Sequence, residues 1–138
     1  MTRFSRGFSE LVLIVDDVPT STRFYRDVVG LSIQEEFQFP DWTWFWTGDP
    51  GQPQRLAVHQ GKLGHEEHSP HPEGQRWGHV HFALNVPRER LEGAAEHVRQ
   101  SGVEVYGPTR FASDWMRATA YFFYDPDGNL IEFWSPDP

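Results

Sequence analysis

Apolar and polar residues alternate along several short segments of the chain, in the pattern of half-buried β-strands. The segments fall into two successive sets, and each set has a helical pattern after its first strand. The first set has strands at 10–15, 31–39, 42–47 and 55–60 with a helix at 20–30, and the second has strands at 81–86, 103–107, 117–124 and 129–134 with a helix at 87–102. The order β-α-β-β-β thus occurs twice, which predicts two similar modules.

Both helical segments carry signals at their ends. Thr20 or Ser21 can cap the first helix, and Gly30 is placed to end it. Pro87 stands near the start of the second helix, and Gly102 stands at its end. The apolar positions follow the helical period in both: Phe24, Tyr25 and Val28 in the first helix, and Leu91, Ala94, Ala95 and Val98 in the second.

The repeat predicts an α+β fold in which each module forms a small mixed sheet with its helix on one face. The two sheets are expected to curl around a cleft, with the helices on the outer face. We expect a single domain over residues 1–138, with module 1 at about 8–60, a linking loop at 61–78 and module 2 at about 79–135.

Composition narrows the classes of function. The chain of 138 residues has no cysteine, so zinc-thiolate sites, disulfides and thiol nucleophiles are excluded. Its formal net charge of −8 argues against nucleic-acid binding, which needs a basic face. No apolar run is long enough to span a membrane, and "MTRFSRGFSE" lacks the apolar region of a signal peptide. We therefore expect a cytoplasmic protein with a small-molecule partner.

One carboxylate stands in an unusually apolar strand. In "NLIEFW", Glu132 is the only charged residue, and alternation turns it away from the helix-covered face. The same alternation places Glu10, His59 and His81 on that face. Two imidazoles and two carboxylates suit a divalent ion such as Fe, Mn, Ni, Co or Zn. The alternative for each residue is an ordinary one: a hydrogen-bonded strand histidine, or a glutamate at a solvated edge.

The segments "FYRDVVGL" and "DPDGNLIE", in that order and separation, resemble the two halves of a vicinal oxygen chelate protein. That superfamily includes glyoxalase I, fosfomycin-resistance enzymes, extradiol dioxygenases and bleomycin-resistance proteins. The resemblance implies metal ligands at Glu10, His59, His81 and Glu132. Compared with glyoxalase I, the first two positions are exchanged, which puts glyoxalase activity in doubt. His59, His81 and Glu132 would instead supply the facial triad of a three-ligand member.

The resemblance implies a metal-dependent enzyme, either a lyase or isomerase or an extradiol-type dioxygenase, that binds vicinal oxygens of its substrate. Glu132 or Glu10 would then move a proton as the catalytic carboxylate. The alternative is a metal-free protein of the bleomycin-resistance type, which holds a cationic planar drug in an acidic, tryptophan-rich cleft. A third reading is a regulatory domain without ligand. Superfamily members often form dimers, and some exchange modules, so a homodimer is expected.

Several further residues are candidates for substrate contact. Trp42, Trp44 and Trp46 share one face of their strand, and either line the cleft or belong to the core. If they line the cleft, Trp44 and Trp46 would bind a planar substrate.

Three polar or aromatic positions and one histidine-containing loop complete the candidate list. His79 is either near the substrate or merely exposed, Trp115 would close the cleft, and Arg117 either binds an anionic group or forms a surface salt bridge. The histidines at 65, 68 and 71 suggest a second metal site, but their glycine- and proline-rich surroundings favour a solvated loop over the cleft.

Overall fold

The computed structural model describes residues 4–36, 39–70 and 79–138. The chain divides into two compact units, Met1–Arg76 and Trp77–Pro138. Each unit holds one four-stranded mixed sheet and one main helix among its described residues. The predicted α+β architecture of two β-α-β-β-β modules is confirmed.

The first unit builds its sheet in the order β1-β4-β3-β2. Its elements are β1 (Glu10–Ile14), α1 (Val18–Arg23) continued by a π-helical segment (Phe24–Val29), β2 (Ser32–Ile33), β3 (Trp42–Trp46), β4 (Arg55–His59) and a 3-10 turn (Glu66–His68). β1 pairs with β4 in parallel, whereas β3 pairs antiparallel with both β4 and β2. The parallel pair requires a crossover, which the helix and the two following strands provide.

The start of α1 corrects one sequence prediction. The helix is capped by Asp17, whose carboxylate accepts the backbone N–H of Thr20 at 3.0 Å, and not by Thr20 or Ser21. Ser21 is instead buried inside the helix. The helix therefore begins at Val18, two residues before the predicted start, because Pro19 is tolerated in a first helical turn. The predicted end is confirmed, since Gly30 adopts a left-handed φ of 86°.

We expect Asp17→Ala to lower the melting temperature at neutral pH, because it removes an N-cap. Hydrogen bonds from the Thr20 hydroxyl and then the Thr20 backbone N–H lower the pKa of Asp17. A lowered carboxyl pKa stabilises the fold above the unfolded value of about 3.9, and this contribution is lost as pH falls through the folded pKa. Asp17→Asn keeps an acceptor without the charge, so thermal melts should show the wild-type advantage over it shrinking in acid. A difference in melting temperature between the wild type and Asp17→Asn that does not change with pH would contradict this account.

The core of the first unit lies between α1 and one face of the sheet. Tyr25 and Phe45 are fully buried, with ring centroids 5.9 Å apart. The Thr22 hydroxyl donates to the Thr43 hydroxyl at 2.9 Å, which joins the same helix to the same face of β3. Trp44, which lies between Thr43 and Phe45 in β3, therefore points to the opposite, open face of the sheet.

The second unit repeats this arrangement with the sheet order β5-β8-β7-β6. Its elements are β5 (His81–Asn85), α2 (Arg88–Gln100), β6 (Tyr106–Ser113), β7 (Met116–Tyr124) and β8 (Leu130–Pro136). β5 pairs with β8 in parallel, and β7 pairs antiparallel with β8 and β6. On the helix-facing side, Phe123 and Phe133 meet edge to face at 4.9 Å, and the Tyr121 hydroxyl donates to Glu92 of α2.

Two predicted strands differ from the structure. The segment predicted at 31–39 is a strand only over β2, because the adjacent charges Glu35 and Glu36 form a turn. Residues 37–38 lie outside the described residues. The strand predicted at 103–107 starts at Tyr106 and runs on to Ser113. Gly107 and Pro108 interrupt the ladder there with a register shift, and such residues hide a strand from sequence patterns.

Candidate metal site

His81 and Glu132 lie side by side on the open face of the second sheet. Parallel pairing aligns His81 with Leu130 and Ala83 with Glu132, and antiparallel pairing aligns Phe122 with Glu132. Residues aligned in this way share a face, so the Glu132 carboxylate stands between β5 and β7 on the side opposite α2. The register therefore places Glu132 on the face of the sheet that the sequence predicted.

The two side chains are in direct contact. His81 Nε2 lies 3.3 Å from Glu132 Oε2, and His81 Nδ1 lies 3.1 Å from the carbonyl oxygen of Leu130. A carbonyl oxygen only accepts, so the second contact is a hydrogen bond when Nδ1 carries the proton. Nε2 faces a second acceptor, the Glu132 carboxylate, and a neutral imidazole has only one N–H, so the neutral ring can donate to one of these two oxygens at a time.

Burial controls the electrostatics of this pair. Glu132 is only 6% exposed, whereas the His81 side chain is 51% exposed. Burial raises the pKa of Glu132, and the charge and hydrogen bond of His81 partly offset this rise. The carboxyl group is therefore poised to take up a proton or a cation, because either one relieves the cost of the buried negative charge.

The donor atoms fit a divalent ion. Protein nitrogen and oxygen ligands lie about 2.0–2.2 Å from such a metal, so two ligands at bond angles of 90–109° are separated by about 3.0–3.4 Å. The observed separation of 3.3 Å falls in that range. The Nδ1 contact to a carbonyl is also the usual outer hydrogen bond of a metal-binding histidine.

Glu10 occupies the start of β1 in the first unit. Its Oε2 accepts the indole N–H of Trp44 at 3.2 Å and lies 3.9 Å from a guanidinium nitrogen of Arg55. The side chain is 40% exposed, so the arginine contact is partly screened by water. A role for Glu10 as a metal ligand or proton carrier stays a prediction.

His59 is in a different setting from Glu10. Its ring is buried, with Nδ1 2.8 Å from the carbonyl oxygen of Asp41 and Nε2 3.1 Å from that of Lys62. One face of the ring stacks on Trp42 at 3.9 Å. Both nitrogens therefore already face oxygen acceptors, and binding a metal would require the ring to give up one of them.

The register of the first sheet separates Glu10 from His59. Glu10 is aligned with Arg55 and His59 with Ile14, four residues further along β1. At about 3.3 Å per residue the two positions are about 13 Å apart along the strands. The expectation that alternation alone brings these two side chains to one point is corrected here, because alternation fixes the face of a residue but not its height along the strand.

The tryptophans of β3 lie on the open face of the first sheet. Trp42, Trp44 and Trp46 are each partly exposed, while Phe45 between them is buried against α1. Trp42 and Trp44 stack on each other with centroids 4.9 Å apart, and Phe39 contacts the edge of Trp44. Of the two alternatives for these residues, the helix-side core is therefore ruled out. Trp42 already covers one face of Trp44.

The other predicted substrate contacts are spread along the second unit. Trp115 is 82% exposed at the turn between β6 and β7. Arg117 follows it in β7 and alternates to the same side as Tyr121, opposite the Glu132 carboxylate. Phe122, the β7 residue aligned with Glu132, is about 20 Å along the strand from the Met116 end. The structure therefore does not place Trp115 or Arg117 beside the His81–Glu132 pair.

His79 packs on the turn before β8. Gly128 has a left-handed φ of 83°, and a Cβ placed there would lie 3.2 Å from His79 Nε2. Glycine is therefore required at position 128 both by the backbone conformation and by the close approach of the His79 imidazole. His79 itself is exposed.

We expect Gly128→Ala to destabilise the protein by about 1–2 kcal/mol, the cost of a left-handed conformation for a residue with a Cβ. Gly93→Ala in α2 is the matched control, since no atom lies within 4 Å of its added Cβ. The control should stabilise the protein by up to about 1 kcal/mol. Urea unfolding measures both, and equal effects of the two substitutions would contradict the assignment.

The histidine loop contains the one group of three or more potential ligands found among the described residues. His65, Glu67 and His68 have donor atoms within 4.8 Å of one another, and all three residues are exposed. None of the residues of the 3-10 turn is buried, so packing does not hold these donor atoms in place. His71 lies outside the described residues, so the prediction for the whole loop is tested only in part.

Sequence reasoning missed the polar residues that support the candidate pair. Asp125 and Asn129 are both buried, and the Asn129 side chain accepts the backbone N–H of Val80. Their signal was present in "DPDGN", which was interpreted only as a turn. Buried polar residues at both ends of a turn indicate side-chain hydrogen bonds to the backbone.

The sequence profile of the Glyoxalase/Bleomycin resistance protein/Dioxygenase superfamily matches residues 7–133. The chain belongs to this superfamily. Glutathione transferase FosA of Serratia marcescens is 23% identical over 127 residues, which cover 92% of this chain and 79% of that protein.

Solved structures agree with this assignment. VPC_CASS1, a structure from the mobile metagenome of V. Pseudocholerae, is 31% identical with a TM-score of 0.73, over 100% of this chain and 99% of its own. TnmS3, an antibiotic binding protein from Streptomyces sp. CB03234, shares the fold at 19% identity and a TM-score of 0.69, over 99% of this chain and 100% of its own.

Membership of the glyoxalase superfamily sets the context for the site. Members commonly use divalent metal ions, bind small molecules and are typically dimeric. In the part of this chain that the structure describes, no helix is long and apolar enough to cross a membrane.

Proposed function

We propose that this superfamily member is a metal-dependent enzyme acting on a small molecule, with His81 and Glu132 as two of its metal ligands. The observation that carries the proposal is the 3.3 Å contact between His81 Nε2 and a buried carboxylate oxygen of Glu132. Glu10 and His59, about 13 Å apart along their strands, stay sequence predictions and are not part of the proposed pair. A divalent ion held there would act as a Lewis acid toward vicinal oxygens of a substrate.

The chain's own residues contribute the proton chemistry. Glu132 is buried and has a raised pKa, so its carboxyl group can hold a proton closer to neutral pH than an exposed glutamate can. His81 orients this carboxyl group through Nε2, while the Leu130 carbonyl fixes the imidazole through Nδ1. Phe122, which is aligned with Glu132 and partly buried, lies on the β7 side of the carboxylate.

Metal titration tests the proposal directly. Protein purified without chelators and titrated with Mn²⁺ under electron paramagnetic resonance should bind one ion tightly per chain. The double variant H81A/E132A should lose that tight site, while any weak exposed binding at His65–His68 should persist. Binding of one tight ion by the double variant, as in the wild type, would overturn the assignment.

A second candidate is metal-free ligand binding, favoured by the half-exposed tryptophans of β3 beside the Glu10 carboxylate. Aromatic faces and a carboxylate suit a planar cation. Catechol, a probe with vicinal oxygens, separates the two functions. The enzyme proposal expects catechol to bind the Mn²⁺-loaded protein and not the metal-free protein. Tight quenching of tryptophan fluorescence by a planar cation, unchanged by EDTA, would instead support the binding protein.

A further inference from the structure

Arg55 of β4 lies on the open face of the first sheet, beside Trp46. The register aligns Arg55 with Trp46 of β3 on one side and with Glu10 of β1 on the other. Residues aligned across an antiparallel pair share a face, and their Cβ atoms are about 4.5–5.5 Å apart. The guanidinium and the Trp46 indole therefore start from neighbouring positions on the side away from α1.

The Arg55 guanidinium is fixed on one side and accessible on the other. Its Nη1 donates to Gln34 Oε1 at 3.0 Å, and Gln34 is only 6% exposed, so this hydrogen bond is sheltered from water. Its Nη2 lies 3.9 Å from Glu10 Oε2, beyond hydrogen-bond distance. A guanidinium carries several N–H donors, and most of those of Arg55 have no acceptor among the described residues. The side chain is 27% exposed, so a ligand can reach them.

Trp46 offers a flat apolar surface next to this cation. Trp42 and Trp44 stack on each other, whereas Trp46 has no ring partner in the described part of the chain and is partly exposed. On its other side β3 pairs with β2, where the aligned residue is the short and exposed Ser32. A flat ligand can therefore lie against the Trp46 indole within reach of the guanidinium.

Arg55 also changes the charge of ligand that this face suits. Glu10 accepts the indole N–H of Trp44 at 3.2 Å, and the Arg55 guanidinium lies close to the same oxygen. The negative charge of Glu10 is therefore partly balanced, and a cation beside it would meet the guanidinium. A carboxylate would instead meet unused N–H donors in the fork geometry that arginine offers to such groups.

We propose that Arg55 and Trp46 form a binding site for a planar organic anion, such as an aromatic carboxylate, on the open face of the first sheet. The anionic group accepts hydrogen bonds from the guanidinium, and the ring of the ligand lies on the indole. Neither residue belongs to the His81–Glu132 pair, so the site does not depend on the proposed metal.

Three ligands of one shape and different charge test the proposal: anionic 2-naphthoate, neutral 2-naphthamide and cationic 2-naphthamidine. Each is titrated calorimetrically into the whole protein in EDTA at neutral pH, so that no metal takes part. The wild type should bind naphthoate about tenfold more tightly than naphthamide, because a hydrogen bond to a charged group is stronger than one to a neutral group. Naphthamidine should bind least. Tightest binding of naphthamidine, or binding of none of the three, overturns the proposal.

Arg55→Met keeps the apolar stem of the side chain and removes its charge and its donors. Affinity for naphthoate should fall by about 10–100-fold, and the preference over naphthamide should disappear. Arg90→Met is the matched control, since it removes the same charge from an exposed position of α2, and it should bind naphthoate as the wild type does. Unchanged affinity for naphthoate in folded Arg55→Met contradicts the proposal.

If Arg55→Met does not fold, Glu10→Gln decides the matter. This change keeps an acceptor for the Trp44 indole N–H and removes the negative charge near the guanidinium. Naphthoate should bind this variant more tightly than the wild type. Equal or weaker binding of naphthoate, or a loss of tight naphthamidine binding, would show that the face selects a cation through Glu10 and not an anion through Arg55.

Discussion

His81→Ala and Glu132→Ala are each expected to weaken Mn²⁺ binding by more than about 100-fold. The reason is that outer hydrogen bonds alone contribute about 10–100-fold, and loss of a direct ligand should exceed this range. His81 and Glu132 supply two donor atoms 3.3 Å apart, so removing either one leaves the ion with a single partner from this pair. Competition with a fluorescent chelator measures the affinity of each variant.

Two further variants sharpen that comparison. Glu132→Gln keeps the shape of the side chain but removes its charge, and it should lose nearly as much affinity as Glu132→Ala. His97→Ala removes an exposed histidine of α2, on the other side of the sheet, and should bind as the wild type does. Retained affinity in Glu132→Gln would show that the carboxylate is not a ligand.

Phe45→Ala should destabilise the protein by about 3–5 kcal/mol, the usual cost of removing a buried phenylalanine ring. Phe45 is fully buried against Tyr25 of the helical segment. Trp46, the next residue along β3, is partly exposed on the open face, so Trp46→Ala should cost less than half as much. Urea unfolding gives both free energies. A larger loss for Trp46→Ala would mean that the tryptophans, and not Phe45, form the core of this unit.

The sequence predicted which face of the sheet each strand residue occupies better than it predicted the register between strands. Alternation correctly separated Phe45 from its tryptophan neighbours and turned Glu132 away from α2. It had no means of showing that Glu10 is aligned with Arg55 while His59 is aligned with Ile14. Register depends on backbone pairing between strands that are far apart in sequence, and a pattern within one strand carries no record of it.

The helix and strand boundaries that were predicted wrongly also have local causes. Asp17 was not recognised as a cap, and Pro19 lies within the first turn of the helix, where proline is tolerated. β6 was placed too early because Gly107 and Pro108 conceal its continuation. The contacts of Val80 with Asn129 and of His81 with Leu130 each join residues 49 positions apart along the chain, and only the folded sheet brings them together.

The parallel pairing of each unit's first and last strands has a consequence for biosynthesis. β1 pairs only with β4, and β5 pairs only with β8. Neither sheet can therefore complete its hydrogen bonding while its last strand is still inside the ribosome. The pairing of His81 with Leu130 spans nearly the whole second unit, which makes the candidate ligand pair one of the last features to assemble. Folding intermediates in which β8 has not yet paired with β5 would therefore lack the contact between His81 and Glu132.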